Sequence, residues 1–213
     1  MEDNFRHKGL RKQLINLLRE KGIKSEAVLD AMGKIPRHLF LDTAFLNFAY
    51  EDKAFPIGAE QTISHPYTVA FQTELLELAR GEKVLEIGSG CGYQTAVLCE
   101  LGVKVYSIER QKELYDKTKR FLPKLGYRPN LYYGDGYLGK ESFAPFDKII
   151  ITCGAPFIPE ALLKQLKVGG IMIIPVGEEV QEMIKVVRVD ENNFEQKKFG
   201  DFKFVPMLAD KNK

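Results

Sequence analysis

Three glycines at alternate positions, Gly88, Gly90 and Gly92, follow an apolar run and constrain this chain more than any other feature. Val84, Leu85 and Ile87 before them read as a short buried strand, and Thr95, Ala96, Val97 and Leu98 after them as a helix. Glycines at such a turn let the backbone bend tightly and approach a ligand without a Cβ in the way. The first N–H groups of the helix, which lack partners within it, then face the turn and suit polar or anionic ligand groups. The spacing discriminates among ligands. A dinucleotide site is marked by G-x-G-x-x-G; here the third glycine comes one position early, and Tyr93 stands where that pattern wants glycine. Glu86, two residues before the first glycine, is awkward for a pyrophosphate, because two like charges would meet in a partly desolvated pocket. It suits a ligand carrying an ammonium and a sulfonium. The plain alternative is an ordinary strand-to-helix turn.

Around this turn, elements alternate. Upstream, residues 5–22 read as a helix, with Leu10, Leu14, Leu17 and Leu18 at helical spacing and Gly22 at its end. Ser25 is a good N-cap for a second helix through Met32. Pro36 interrupts, and Phe40, Phe45, Phe48 and Tyr50 are expected to be core between this N-terminal layer and a sheet. Residues 51–65 show no clear period and read as a loop. Pro66 is placed to open a helix that stops near Gly81, with Ser64 or His65 as its cap. From Lys83 the expected strands are Val84 to Ile87, Val103 to Ile108, Leu131 to Tyr133, Phe146 to Ile151 and Ile171 to Ile174. Helices are expected from Gln111 to about Leu125 and from Ile158 to Leu166, the latter ended by Gly169-Gly170. After Gly177, Ile184 to Val189 and Phe202 to Val205 read as two strands around a turn at Asp190-Glu191-Asn192-Asn193. This pattern predicts an α/β fold: a doubly wound, mostly parallel sheet with N-terminal helices and an antiparallel C-terminal edge.

Ligands of open α/β sheets bind beyond the carboxyl ends of the strands. Three acids are expected there: Glu86, Glu109 and Asp135. Glu109 follows the glycine turn by about 20 residues, the spacing at which an acid accepts hydrogen bonds from ribose hydroxyls. Asp135, in Gly134-Asp135-Gly136, can accept from an adenine amino group. Each acid alone is as well explained as a turn former; together with the glycine turn they describe a nucleoside pocket.

Composition removes several classes of function. A net charge of +2 gives no footprint for nucleic acid. The three cysteines, Cys91, Cys99 and Cys153, form no C-x-x-C pair, so neither a disulfide framework nor a metal site is expected, and reduced thiols in a cytoplasmic protein are the simpler reading. The acidic start Met1-Glu2-Asp3-Asn4 precedes no apolar run, so a secretory signal is not expected. No stretch approaches a membrane span.

The glycine pattern resembles the first motif of S-adenosylmethionine-dependent methyltransferases. The segment Gln61-Thr62-Ile63-Ser64-His65-Pro66-Tyr67 resembles, more narrowly, the signature of protein-L-isoaspartate O-methyltransferases. The similarity continues through Gly134-Asp135-Gly136, Ala144-Pro145-Phe146-Asp147, Ala155-Pro156, Leu166-Lys167-Val168-Gly169-Gly170, Pro175-Val176-Gly177 and Phe204-Val205-Pro206. It implies a single Rossmann-like methyltransferase domain over 1–213, with an N-terminal layer over 1–60, a cofactor core over 61–177 and C-terminal strands over 178–213.

The resemblance implies methyl transfer from S-adenosylmethionine, with S-adenosylhomocysteine as product, to the free α-carboxylate of L-isoaspartyl residues in damaged proteins or peptides. The ester then closes to a succinimide, which begins repair. By the same carry-over Ser64 is the active-site serine, and Ile63, Glu86, Gly88, Ser89, Gly90, Glu109, Arg110, Asp135 and Gly136 line the cofactor. Ile63, Ser64 and Val205 contact the substrate, no metal takes part, and a monomer is expected. His65 and Leu208 depart from common family forms and bear on peptide preference. Ser64 keeps a second reading as a helix cap, and His65 reads as a cap or wall residue rather than a base. The rival functions are a Class I methyltransferase acting on a small molecule or RNA, and a non-catalytic module that binds S-adenosylmethionine.

Overall fold

The structure is a computed structural model, and it describes residues 3–212. Five apolar strands, β3 (Lys83–Ile87), β4 (Lys104–Glu109), β5 (Asn130–Tyr133), β6 (Phe146–Ile151) and β7 (Leu166–Val176), run parallel. The strands β8 (Gln181–Arg188) and β9 (Phe194–Phe202) add an antiparallel edge. Among the described residues they form one sheet in the order β5-β4-β3-β6-β7-β8-β9. This is the doubly wound architecture expected, antiparallel edge included. The chain leaves β3 on one side through β4 and β5, then returns to β6 on the other, so the carboxyl ends of β3 and β6 flank a crevice. Helices cover both faces, which is why the strands read as continuous apolar runs. Ile149, Ile151 and Met172 pack against Leu162 of α6 (Glu160–Gln165). Val84, Val105 and Ile150 pack against Leu98 of α4 (Tyr93–Glu100) on the other face.

The N-terminal layer starts with α1 (Phe5–Glu20), capped by Asn4, and α2 (Glu26–Lys34), capped by the Ser25 side chain, which accepts from the Val28 amide. Leu14, Leu18, Leu29 and Met32 share a core with Tyr93, Val97 and Leu114, the last from α5 (Lys112–Phe121). Phe40 meets Tyr93 and Phe121 edge-on at 5.4 and 5.2 Å between ring centroids. Phe48 differs from expectation: it closes a short 3-10 turn and is 48% exposed.

Four boundaries differ from the sequence reading. Residues 55–63 form a hairpin, β1 (Phe55–Gly58) with β2 (Gln61–Ile63), rather than a loop. Its turn residues, Ala59 and Glu60, both have positive φ without being glycine or asparagine, so the usual turn signal is missing. Helix α3 (Pro66–Leu75) ends before Gly81, since Glu77 already turns left-handed at φ 52°. Helix α6 ends at Gln165, and Leu166 already begins the next strand, pairing with Phe146 before the register shifts at Ile171. The last strand is β9, not Phe202 to Val205. Six of its nine residues are exposed and four are charged, as suits a sheet edge, so it carries no apolar alternation.

Candidate active site

At the crevice beyond β3 lies an open cavity. Gly88, Ser89 and Gly90 form its floor after β3; Ile108, Glu109 and Arg110 supply the end of β4; Thr152 and Cys153 supply the end of β6. Ile63 and Ser64 reach it from the end of β2, and Val205 to Leu208 close it from the C-terminal side. The floor depends on its glycines. Gly88 has φ +96°, and a Cβ there would lie 2.6 Å from Thr152 Oγ1. Gly90 has φ +52°, and a Cβ there would lie 3.2 Å from Ile57 of β1. At Gly90 the absent side chain therefore also serves the contact with the hairpin.

Glu109 is 5% exposed and lines the cavity. Its Oε2 accepts from the Gly90 amide and its Oε1 from the Gln111 amide, both at 2.8 Å. Burial pushes its carboxyl up, while the amides of Gln111, Gly90 and Arg110 pull it down. Each oxygen keeps lone-pair capacity for a further donor, so two neighbouring hydroxyls of a ligand can be held here. Arg110 lines the cavity, but its guanidinium donates to the carbonyls of Asp210 and Ala209 at 2.9 and 3.1 Å. The same C-terminal segment engages Asp135, whose Oδ2 accepts from the Asp210 amide and whose Oδ1 accepts from the Tyr137 amide. Asp135 does not line the cavity, whereas Gly136 does. With its one arginine bound to backbone carbonyls and no lysine on its wall, the cavity lacks the cation a phosphate ligand would need.

Glu86 also stands apart from the wall. Strand alternation turns it, like Val84, toward α4, where its Oε2 accepts from Thr95 Oγ1 at 2.6 Å. It is fully buried, and Oε1 has no partner among the described residues. Burial pushes its carboxyl up to about 7, opposed by the hydroxyls of Ser107 and Thr95 and assisted by the negative Glu109. Ser89 Oγ lies 2.5 Å from Ser107 Oγ. Cys91 and Cys153 line the cavity, but burial raises their thiols to about 11 and about 12, so neither is a nucleophile near neutral pH.

Ser64 is half-buried between β2 and α3, and its hydroxyl makes no hydrogen bond with any described residue. The N-cap of α3 is His65, which makes no side-chain cap bond either. The capping role that the sequence left open for Ser64 is thus not taken. Arg37, which the sequence reading passed over, holds this segment in place. It is fully buried and donates to the carbonyls of Ala49 at 3.0 Å, Lys53 at 3.2 Å and Ser64 at 2.9 Å. Its Cζ lies 4.8 Å from the centroid of the Tyr93 ring. The available signal was a lone arginine inside Ile35-Pro36-Arg37-His38-Leu39-Phe40, a stretch too apolar to leave a guanidinium without a purpose. Thr152 was passed over too; its place directly after a central strand was the sign.

Comparison with known proteins places this geometry. The family model described as protein-L-isoaspartate(D-aspartate) O-methyltransferase matches residues 9–212. A protein-L-isoaspartate O-methyltransferase of Christiangramia forsetii is 62% identical over the full length of both chains, and one of Flavobacterium psychrophilum is 61% identical over the same extent. A solved protein-L-isoaspartate O-methyltransferase superposes with a TM-score of 0.85 at 30% identity, covering 93% of this chain and 66% of that one. A Plasmodium falciparum structure described as a putative enzyme of this kind, in complex with S-adenosyl-L-homocysteine, gives 0.81 at 25% identity, covering 93% and 98%.

Proposed function

This chain belongs to the protein-L-isoaspartate(D-aspartate) O-methyltransferase family, and from that membership we infer how its cavity is used. The protein is an S-adenosylmethionine-dependent methyltransferase acting on isoaspartyl residues of proteins and peptides, the step that initiates their repair. When bound, S-adenosylmethionine supplies an electrophilic methyl group on a sulfonium. The cavity suits such a group: a glycine floor, a carboxylate with spare lone pairs and no free cation on the wall. Glu109 accepts from the ribose hydroxyls. Gly88, Ser89, Gly90 and Gly136 allow the close approach, and Ile63 and Val205 wall off water. Glu86, behind the floor, braces α4 by accepting from Thr95 and does not itself line the cavity. Arg110 and Asp135 act through the C-terminal segment they hold, which forms the outer wall.

The acceptor is a carboxylate, already ionised at neutral pH with an ordinary pKa of about 4, so no general base is required. The cavity lining contains no histidine. What remains for the protein is alignment and exclusion of water. Ser64 donates a hydrogen bond that orients the acceptor, and Arg37 fixes the Ser64 backbone from behind. The observation carrying this reading is Ser64 on the cavity wall, its hydroxyl without a hydrogen-bond partner among the described residues. Three free cysteines support a reducing, cytoplasmic setting. The test is methyl transfer to an isoaspartyl peptide beside its aspartyl twin. Transfer to the first alone is expected, and equal transfer to both overturns the reading.

A further inference from the structure

Next to the large cavity lies a smaller, shallow hollow on the surface. The two share Thr62, Ser64, Thr152 and Val205 as a common wall. The remaining lining of the smaller cavity is Ala54, His65, Thr68, Lys203 and Phe204, with no aspartate or glutamate among them. Lys203 is exposed, and its ammonium has no hydrogen bond or ion pair with any described residue. On the adjoining strands Lys198 pairs with Glu182 and Lys185 with Glu77, while Lys197 lies over the Phe199 ring. The backbone carrying Lys203 is anchored: the Phe204 amide donates to Gln181 Oε1 at 2.8 Å, the Gly154 amide to the Val205 carbonyl at 2.8 Å, and the Met207 amide to the Gly154 carbonyl at 2.7 Å. A cation without a partner among the described residues is therefore carried on an anchored segment beside Ser64, in a hollow otherwise lined by four hydroxyl residues, His65 and apolar groups.

We propose that this second cavity takes the side chain flanking the isoaspartyl residue, and that Lys203 selects a carboxylate there. The proposal rests on Ser64 being the contact for the acceptor. A peptide acceptor continues on either side of its modified residue, and the space across Ser64 from the large cavity is the smaller one. Its lining offers a cation and hydroxyl donors without an acid to repel an anion, which matches a carboxylate side chain better than a cationic or apolar one. A solvent-exposed pair of this kind changes affinity about two- to fivefold, and salt weakens it.

The experiment compares kcat/KM for isoaspartyl peptides that differ only in Glu or Gln at the position before, or at the position after, the modified residue. The Glu/Gln ratio is taken within each enzyme: wild type, Lys203→Gln and Lys203→Glu. A wild-type ratio of about two to five on one flank is expected, falling to one in Lys203→Gln and below one in Lys203→Glu. A wild-type ratio of one on both flanks, or a ratio unchanged in Lys203→Glu, overturns the proposal. The Gln peptides and their aspartyl twins report on the repair reaction separately. Selective methylation of the isoaspartyl Gln peptide keeps that assignment standing whatever Lys203 does, whereas its loss removes both.

Discussion

Replacing Ser64 with alanine separates a residue that serves the reaction from one that serves the fold. A capping serine changed to alanine costs about 1 kcal/mol of stability. Here the hydroxyl has no partner among the described residues and His65 occupies the cap position, so that loss has no source. The backbone carbonyl that Arg37 holds is untouched by the substitution. Ser64→Ala should therefore stay within about 0.5 kcal/mol of wild-type stability, as surface substitutions do. A hydrogen bond from the hydroxyl to an ionised acceptor is worth about 1.5–3 kcal/mol. At about 1.36 kcal/mol per tenfold, kcat/KM should fall about ten- to a hundredfold or slightly more. Affinity for S-adenosylmethionine should change little, because Glu109 and the glycine floor remain. The assay is initial-rate methyl transfer to an isoaspartyl peptide, with calorimetry for the cofactor and thermal melting on the same sample. Wild-type turnover would refute the reasoning. So would a loss of turnover matched by an equal loss of stability.

Glu109→Gln should weaken S-adenosylmethionine by about 1.5–3 kcal/mol, since the charge-assisted bonds are lost and the new amide opposes the N–H of Gly90 or Gln111; an unchanged dissociation constant in calorimetry takes Glu109 out of the site. Glu86 holds its proton more tightly folded than unfolded, so its contribution to stability is full below about 4.5 and is lost as pH rises through about 7, on the order of 3 kcal/mol. Glu86→Gln should remove that component, so denaturant titrations at pH 5 and pH 8 should differ less for the variant than for wild type; identical differences defeat the account. Gly90→Val should cost stability as well as cofactor affinity, because left-handed φ alone costs about 1–2 kcal/mol and Ile57 must move; an unchanged melting temperature with binding abolished would show that the hairpin contact is unimportant.

The order of elements, the parallel sheet and the position of the glycine turn were legible in the sequence. They rest on local properties: apolar runs of strand length, helical spacing of leucines and glycine at a tight turn. Ser64, Ile63, Glu109, Gly136 and Val205 were singled out from the chain, and the structure brings them to one cavity. The direction of Glu86 was not legible, because strand alternation is meaningful only once it is known which helix covers which face. The hairpin at 55–63 and the edge strand β9 also escaped. One has an unusual turn, and the other is specified by pairing with β8 rather than by its own composition.

The sequence by itself determined the fold class, which follows from residue types at short spacings, while the type of ligand came from the resemblance its motifs carry. Only the tertiary structure decided the roles of residues whose partners lie far along the chain. Arg37 reaches the Ser64 carbonyl across 27 positions, and Arg110 reaches Asp210 across 100. A charge or hydrogen-bonding group is defined by what it faces, and folding alone brings those partners within bonding distance.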